Sequence, residues 1–267
     1  MMKRYRSVLI TGASGGIGSA FARLLAPFME SMLITGRNLQ ALQKLAEEIK
    51  SPASNNIHIK IADLTKQEDV NQLAVLAGEK KIDLFINNAG FGHFNHFLAT
   101  SPRGIIDMLQ VNVLAATQLL HILLPGMIER ATVEKRAGVI CVASMAAFMP
   151  IPYFSAYAAS KSYLHTLVLG LQQELGQQPI DLLSLCPGLV ETAFITKADM
   201  PRKLLKRAAN PQVIAQTAMQ KLGNRDQYTY GFGNQVAMMA GHLLPSKMKR
   251  RLLYYYCKKW LPPENSI

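Results

Sequence analysis

The chain has 267 residues, 49% of them hydrophobic, and a formal net charge of +12. That length fits one or two domains, and that apolar share supports a large core and excludes a disordered chain. The charge is unevenly placed: residues 191–267 hold thirteen Lys/Arg against four Asp/Glu, while residues 1–190 hold sixteen against thirteen, so the basicity belongs to the tail. Cys141, Cys186 and Cys257 show no metal-ligand spacing and read as reduced thiols of a cytoplasmic protein; no metal is expected.

The basic start Met1–Arg6 imitates a leader peptide, but the apolar run behind it ends at Thr11-Gly12 and suits a buried strand instead. No run approaches the roughly 20 apolar residues of a membrane span, so a secreted or spanning protein is not expected. In chain order the pattern predicts strand 7–11, helix 16–26 stopped by Pro27, strand 31–35, helix 39–49, strand 57–61, helix 66–77 closed by Gly78, and strand 83–87. A long helix 102–124, strand 139–143, helix 156–175 stopped by Gly176 and strand 180–185 follow. After a polar, basic stretch 194–208 come helix 211–222 and a last strand 227–230. Strands apolar throughout are buried on both faces, and regular β-α alternation predicts a doubly wound α/β fold, a Rossmann-like parallel sheet flanked by helices. We read residues 1–240 as one domain, with 191–210 as a substrate lid, and 241–267 as a basic amphipathic tail.

Such sheets bind ligands past the carboxyl ends of their strands, and every motif in this chain follows a strand. Thr11-Gly-Ala-Ser-Gly-Gly-Ile-Gly18 joins the first strand to the first helix. Gly12 permits a tight turn; Gly16 and Gly18 allow close approach to a pyrophosphate and helix–sheet packing, and the helix N-terminus offers free N–H groups. The second strand ends Thr35-Gly36-Arg37, with no carboxylate for a ribose hydroxyl and a guanidinium suited to a 2′-phosphate; this predicts NADP(H) rather than NAD(H), against a reading of Arg37 as a solvated loop cation. Asp63-Leu64 suits an adenine amino group or a helix-capping turn, and Asn87-Asn-Ala-Gly90 a ribose or a simple turn. Tyr157 and Lys161, four apart, share a helix face, where an ammonium favours tyrosinate and readies the phenol for proton transfer; Ser144 could bond a substrate oxygen.

On these motifs, together with Asn112 and Pro187-Gly188, the chain resembles the short-chain dehydrogenase/reductases of roughly 250 residues, over residues 6–192. The resemblance implies a single Rossmann-like domain with a seven-stranded sheet. It implies an oxidoreductase with Tyr157 as general acid or base, Lys161 lowering its pKa and holding the nicotinamide ribose, Ser144 polarising the substrate oxygen, and Asn112 holding a proton-supplying water chain. Pro187, Gly188, Val190 and Thr192 then hold the carboxamide, and Gly12, Ser14, Gly15, Gly16, Ile17, Gly18, Asn88, Ala89 and Gly90 line the dinucleotide. Many NADP-using members have a basic residue before the second motif glycine; here it is Gly15, which leaves Arg37 as the main phosphate reader.

The loops after strands four to six offer His93, Phe94, Met145, Phe148, Tyr153 and Leu189 as walls of an apolar substrate site, pointing to a carbonyl reductase for a lipophilic ketone or aldehyde, or its reverse. A non-catalytic NADP(H)-binding regulator is the alternative, disfavoured by intact Ser144, Tyr157 and Lys161. A nucleic-acid binder lacks a recognised motif. In the tail, Met248, Leu252, Tyr255, Tyr256 and Trp260 recur at helical spacing among six cations, which suits either peripheral membrane contact or docking on the domain or a second subunit. The resemblance also implies a homo-oligomer, a dimer or tetramer.

Overall fold

The computed structural model describes residues 5–50, 56–201, 204–205, 208–231, 233–236 and 245–261. Strands β1 (Ser7–Thr11), β2 (Ser31–Gly36), β3 (Asn56–Ile61), β4 (Leu84–Asn87), β5 (Ala137–Val142), β6 (Ile180–Leu185) and β7 (Gln227–Tyr228) form one sheet in the order β3-β2-β1-β4-β5-β6-β7. Every ladder is parallel, with Ile10 opposite both Ile34 and Ile86. This is the expected Rossmann-like sheet, and its strand order reverses between β1 and β4.

Alternate side chains of the strands feed two cores. Val8, Ile10, Ile34, Ile86, Ile140 and Leu183 meet Phe21, Leu42 and Ile214, which lie on α1 (Gly16–Leu25), α2 (Leu39–Ile49) and α8 (Pro211–Lys221). Leu9, Leu33, Phe85, Val139 and Leu182 meet Leu73, Leu119 and Val168 on the opposite face, carried by α3 (Gln67–Glu79), α5 (Ala116–Arg130) and α6 (Ser155–Glu174). A third cluster, with Phe94, Met108, Phe154, Tyr157 and Cys257, lies apart from both. It takes in the short helix α7 (Phe194–Lys197) and the tail helix α9 (Ser246–Lys258).

The predicted elements are all present, with shifted ends. Gly78 does not stop α3. The stop falls at Lys81, whose φ of 50° turns the chain so that the Ile82 amide returns to the Ala77 carbonyl and Ile82 enters the core. The long helix runs past Leu124, because Pro125 is tolerated inside it. From Pro102 to Arg130 the run is α4 (Pro102–Leu109), a π-helical turn (Gln110–Ala115) and α5. Among the described residues it is a helix long and apolar enough to cross a bilayer, contrary to the expectation that no stretch approaches that length; half of its most apolar window is buried within the domain. Within the tail, Cys257 is buried in the third cluster, with Trp260 and Leu261 packed against it.

At the reversal point Thr11 ties β1 to the end of β4. Its hydroxyl accepts from the amides of Asn88 and Ala89, both at 3.0 Å, and the Asn88 side chain donates back to the carbonyls of Thr11 (2.9 Å) and Gly12 (3.1 Å). Thr11→Val keeps the shape but strands two N–H groups, so it should cost about 2–3 kcal/mol in urea unfolding, and Thr11→Ser should recover most of that.

Candidate active site

One cavity of about 580 Å³ runs along the carboxyl ends of the strands. Its first half is the glycine turn. Gly12 and Gly16 take φ of 66° and 59°, a left-handed geometry that suits glycine. A Cβ on Gly12 would lie 2.9 Å from the Ala89 Cα, and one on Gly18 would strike the Gly12 carbonyl and, at 2.6 Å, the Asn88 amide. The two glycine roles therefore separate: Gly12, Ser14, Gly15, Gly16 and Ile17 line the cavity, whereas Gly18 packs behind it and is not part of the lining, a correction to its expected place on the dinucleotide. No acidic residue lies in the first turn of α1, and no side chain caps it.

Arg37, Asp63 and Leu64 line the same half, as do Asn88, Ala89 and Gly90. Arg37 is exposed, and Ser14 Oγ lies 3.2 Å from where a Gly36 Cβ would stand. Asp63 does not cap α3, whose N-cap is Lys66 with no side-chain bond. It lines the cavity, and its Oδ1 accepts from the Thr65 amide (3.1 Å) and hydroxyl (2.9 Å). Burial works against its charge, but the Thr65 bonds and the cations Arg37 and Lys66 outweigh it and hold the carboxyl below its ordinary range.

At mid-cavity stand Ser144, Tyr157 and Lys161. Ser144 follows β5 and caps a short turn, its Oγ accepting from the Ala146 amide at 3.1 Å. Tyr157 and Lys161 project from the start of α6; both are buried, at 6% and 3% exposure. The Tyr157 ring stacks on Phe154 at 4.2 Å between centroids and meets Phe194 at 5.4 Å. Lys161 Nζ donates to the Val142 carbonyl at 2.8 Å and lies 5.9 Å from the Tyr157 centroid. Asn112 does not line the cavity. It sits on the π-helical turn, its Oδ1 accepting from the Phe91 amide (3.1 Å) and its Nδ2 donating to the Phe91 carbonyl (2.9 Å) and to Ser160 Oγ (3.0 Å). A side chain on Gly90 would lie 2.9 Å from Asn112 Oδ1 and 3.0 Å from Lys161 Nζ, so these two groups converge behind that glycine.

The expected electrostatics need correction. Burial, the largest influence, pushes the Tyr157 phenol far above its ordinary value, and the Ser144 hydrogen bond only partly opposes it. Burial also pushes Lys161 down, to about 8. Burial therefore outweighs what the neighbouring ammonium does to the phenol, and Lys161 Nζ spends a hydrogen bond on the Val142 carbonyl.

The substrate walls divide. Phe94, Met145 and Leu189 line the cavity as expected, with Phe91, Met149, Ile151, Phe154 and Phe194. His93, Phe148 and Tyr153 do not. His93 and Tyr153 border a separate cavity of about 20 Å³, and Phe148 turns to the His165 ring at 4.8 Å. Pro187, Gly188, Val190 and Thr192 are in the lining, followed by Ile195, Met200 and Leu204 of the expected lid; residues 202–203 and 206–207 of that lid lie outside the described residues. Sequence reasoning missed Asn234, which packs against Gly188, and the tail residues Leu253, Tyr256, Cys257 and Trp260, which close the apolar half. The tail's helical spacing was the available signal; it could not say which face turns inward.

A buried lysine with a depressed pKa stays protonated longer in the unfolded chain, where the reference value is 10.5. Between pH 8 and 10.5 the unfolded state therefore binds more protons, and this group adds stability as pH rises. Relative to Lys161→Met, the parent should gain the equivalent of a few kcal/mol of stability across that window. A constant difference in thermal melts would show that the amine is not desolvated.

Residues 6–202 match the short chain dehydrogenase family. The human "Inactive hydroxysteroid dehydrogenase-like protein 1" is 26% identical over 92% of this chain and 74% of its own length. "Very-long-chain 3-oxoacyl-CoA reductase" from Phaeosphaeria nodorum is 30% identical over 80% of this chain and 62% of its own. Among solved structures, an alcohol dehydrogenase from the archaeon Thermococcus sibiricus complexed with 5-hydroxy-NADP is similar with a TM-score of 0.72 at 25% identity, covering 84% of this chain and 95% of that one. With a matching family pattern over most of its length and the fold of these proteins, the chain belongs to the short-chain dehydrogenases, a family of oxidoreductases.

Proposed function

We propose that this protein is an NADP(H)-dependent carbonyl reductase of apolar substrates. The observation that carries the reading is that Ser144, Tyr157 and Lys161 share one cavity with the glycine turn on one side and an apolar pocket on the other. The glycine cradle fits a dinucleotide: backbone at Gly12 to Ile17 for the pyrophosphate, Asp63 and Leu64 for the adenine, Asn88 to Gly90 for ribose, and Pro187, Gly188, Val190 and Thr192 for the carboxamide. Arg37, beside Ser14 and with no carboxylate at Gly36, suits a 2′-phosphate. When bound, the reduced nicotinamide supplies a hydride.

The chain supplies the rest. Ser144 donates a hydrogen bond to the substrate carbonyl oxygen, and the Tyr157 phenol gives that oxygen its proton. Lys161, whose own proton is held only up to about pH 8, lies in position to refill the phenol. The Phe154 and Phe194 rings exclude water and hold an apolar substrate against the hydroxyl. Because burial keeps the phenol protonated at neutral pH, it acts there as an acid, which supports reduction as the working direction. Lys197 is a cation on a wall otherwise dominated by apolar side chains, so a lipophilic ketone or aldehyde fits better than a phosphorylated one. The exposed Ile106, Leu114, Ile122 and Tyr163 on α4–α6 support a homo-oligomeric contact there.

The relatives named inactive favour a second reading, a dinucleotide-binding regulator. The assembled Ser144, Tyr157 and Lys161 stand against it. Tyr157→Phe separates the two: NADPH consumption with apolar ketones should fall by about 10²–10⁴-fold while NADPH binding persists. No turnover by the parent protein on any carbonyl would leave the regulator.

Arg37→Ala should raise the KM for NADPH by about ten- to a hundredfold, and that for NADH little; equal changes would remove the phosphate assignment. In pH profiles, reduction should hold steady through neutrality and decline only on the alkaline side, where the acid form is lost. Alcohol oxidation should climb with pH over the same range; an acidic optimum for oxidation would contradict a phenol held protonated by burial.

A further inference from the structure

The tail helix α9 has two faces with different partners. Its inward face, Leu253, Cys257 and then Trp260, packs on the domain and walls the cavity. Its outward face carries Met248, Leu252 and Tyr255, at 48%, 55% and 53% exposure, in the i, i+4, i+7 spacing of a continuous apolar stripe. Lys247, Arg251, Lys258 and Lys259 flank that stripe, and no carboxylate occurs anywhere between Asp226 and Glu264. Arg251 stands 5.9 Å over the Tyr255 ring and Lys258 5.8 Å over that of Tyr254, so both cations lie along the aromatic surface.

A second apolar prong stands beside the helix. Phe97 and Leu98 are exposed at 61% and 83% on the short turn after β4. The rings of His96, Tyr153 and Tyr254 link that turn to α9, with centroids 4.9 Å and 5.9 Å apart. Exposed Phe and Leu at a turn tip, next to a basic helix with an apolar stripe, match an interfacial lipid contact.

We propose that the outward face of α9, with the Phe97–Leu98 tip, seats the protein on an anionic phospholipid bilayer. Charge complementarity selects this occupant: cations at both ends of an apolar stripe, with no carboxylate among them, suit an acidic headgroup layer above acyl chains. A second copy of the chain would set like charges together. A nucleic acid would leave the stripe uncovered. The same helix that touches lipid also walls the substrate pocket, so a lipophilic carbonyl compound dissolved in the bilayer reaches the cavity without crossing water. This last step rests on the reductase reading; the lipid contact does not.

The full-length protein is floated with vesicles of phosphatidylcholine alone and of phosphatidylcholine mixed with phosphatidylserine. It should float with the mixed vesicles only, and high salt should weaken the association. Met248→Ser/Leu252→Ser/Tyr255→Ser and, separately, Arg251→Gln/Lys258→Gln should each lower the partition coefficient by about tenfold or more. Both variants should keep the parent Tm and turnover of a water-soluble carbonyl compound, since none of these side chains lines the cavity. Leu98→Ser should give a smaller loss.

A parent protein that does not float, or variants that float equally well, would overturn the proposal. So would self-association that the triple variant abolishes, or DNA retention on filters with a steep salt dependence in place of vesicle binding. Flotation without turnover on any carbonyl would keep the surface and remove the reductase.

Discussion

The architecture depends on the clamp between the end of β1 and the end of β4. The sheet order reverses there, so the loops leaving these two strands diverge and a crevice opens between them. Thr11 and Asn88 hold its floor with a reciprocal set of hydrogen bonds, and Gly18 lets α1 close onto the Gly12 carbonyl and the Asn88 amide. Bonds to Phe91 and Ser160 then fix Asn112, and Ser160 Oγ donates to the Tyr157 carbonyl at 2.7 Å. Two polar sets, one at Thr11 and Asn88 and one at Phe91, Asn112 and Ser160, thus hold the glycine turn and the first turn of α6. This explains why a helix as apolar as 102–130 contains an asparagine and a π-helical turn. The extra residue in the turn sits where the side chain must face Gly90, and such a bulge costs backbone regularity that a satisfied amide helps to offset.

The site electrostatics follow from dryness more than from charge pairing. Tyr157 and Lys161 are neighbours on one helix face, and sequence spacing alone suggests that the amine acidifies the phenol. In the structure both groups are taken out of water together, and desolvation favours the neutral form of each. The phenol holds its proton more firmly and the ammonium gives its proton up more readily. Cys141 and Cys186 obey the same rule: burial pushes their thiols up to about 12 and about 11, which leaves them unreactive beside the site.

Much of this was legible in the sequence for a physical reason. Parallel strands buried on both faces must be largely apolar, and glycine is required wherever backbone meets backbone, so β1, β2, β4 and β5 and the Gly12–Gly18 turn are written in residue type, whereas the edge strand β3 alternates and is only partly buried. Substrate walls are not. An aromatic residue in a loop after a strand lines a cavity or packs beside it depending on a rotation that spacing does not encode. Phe94 and Phe154 face the cavity, while Tyr153, next in chain to Phe154, has a φ of 64° that turns it to the other side. Phe148 and His93 fall to neighbouring rings for the same reason.

The tail was legible as a helix and illegible as a position. Its apolar residues outnumber what one face can bury, so Met248, Leu252, Tyr255, Tyr256 and Trp260 read as a single stripe. Packing divides them: Trp260 goes to the domain, Tyr256 reaches the cavity rim while staying half exposed, and Met248, Leu252 and Tyr255 remain outside. A helix that only closed a cavity would need apolar residues on the inward side alone and would be expected to turn polar groups to water. Retaining three large apolar side chains on the far side, among cations, costs solubility and gives nothing to the fold. The same exposure becomes favourable once that face meets a lipid surface, and the helix then couples the location of the protein to the shape of its substrate pocket.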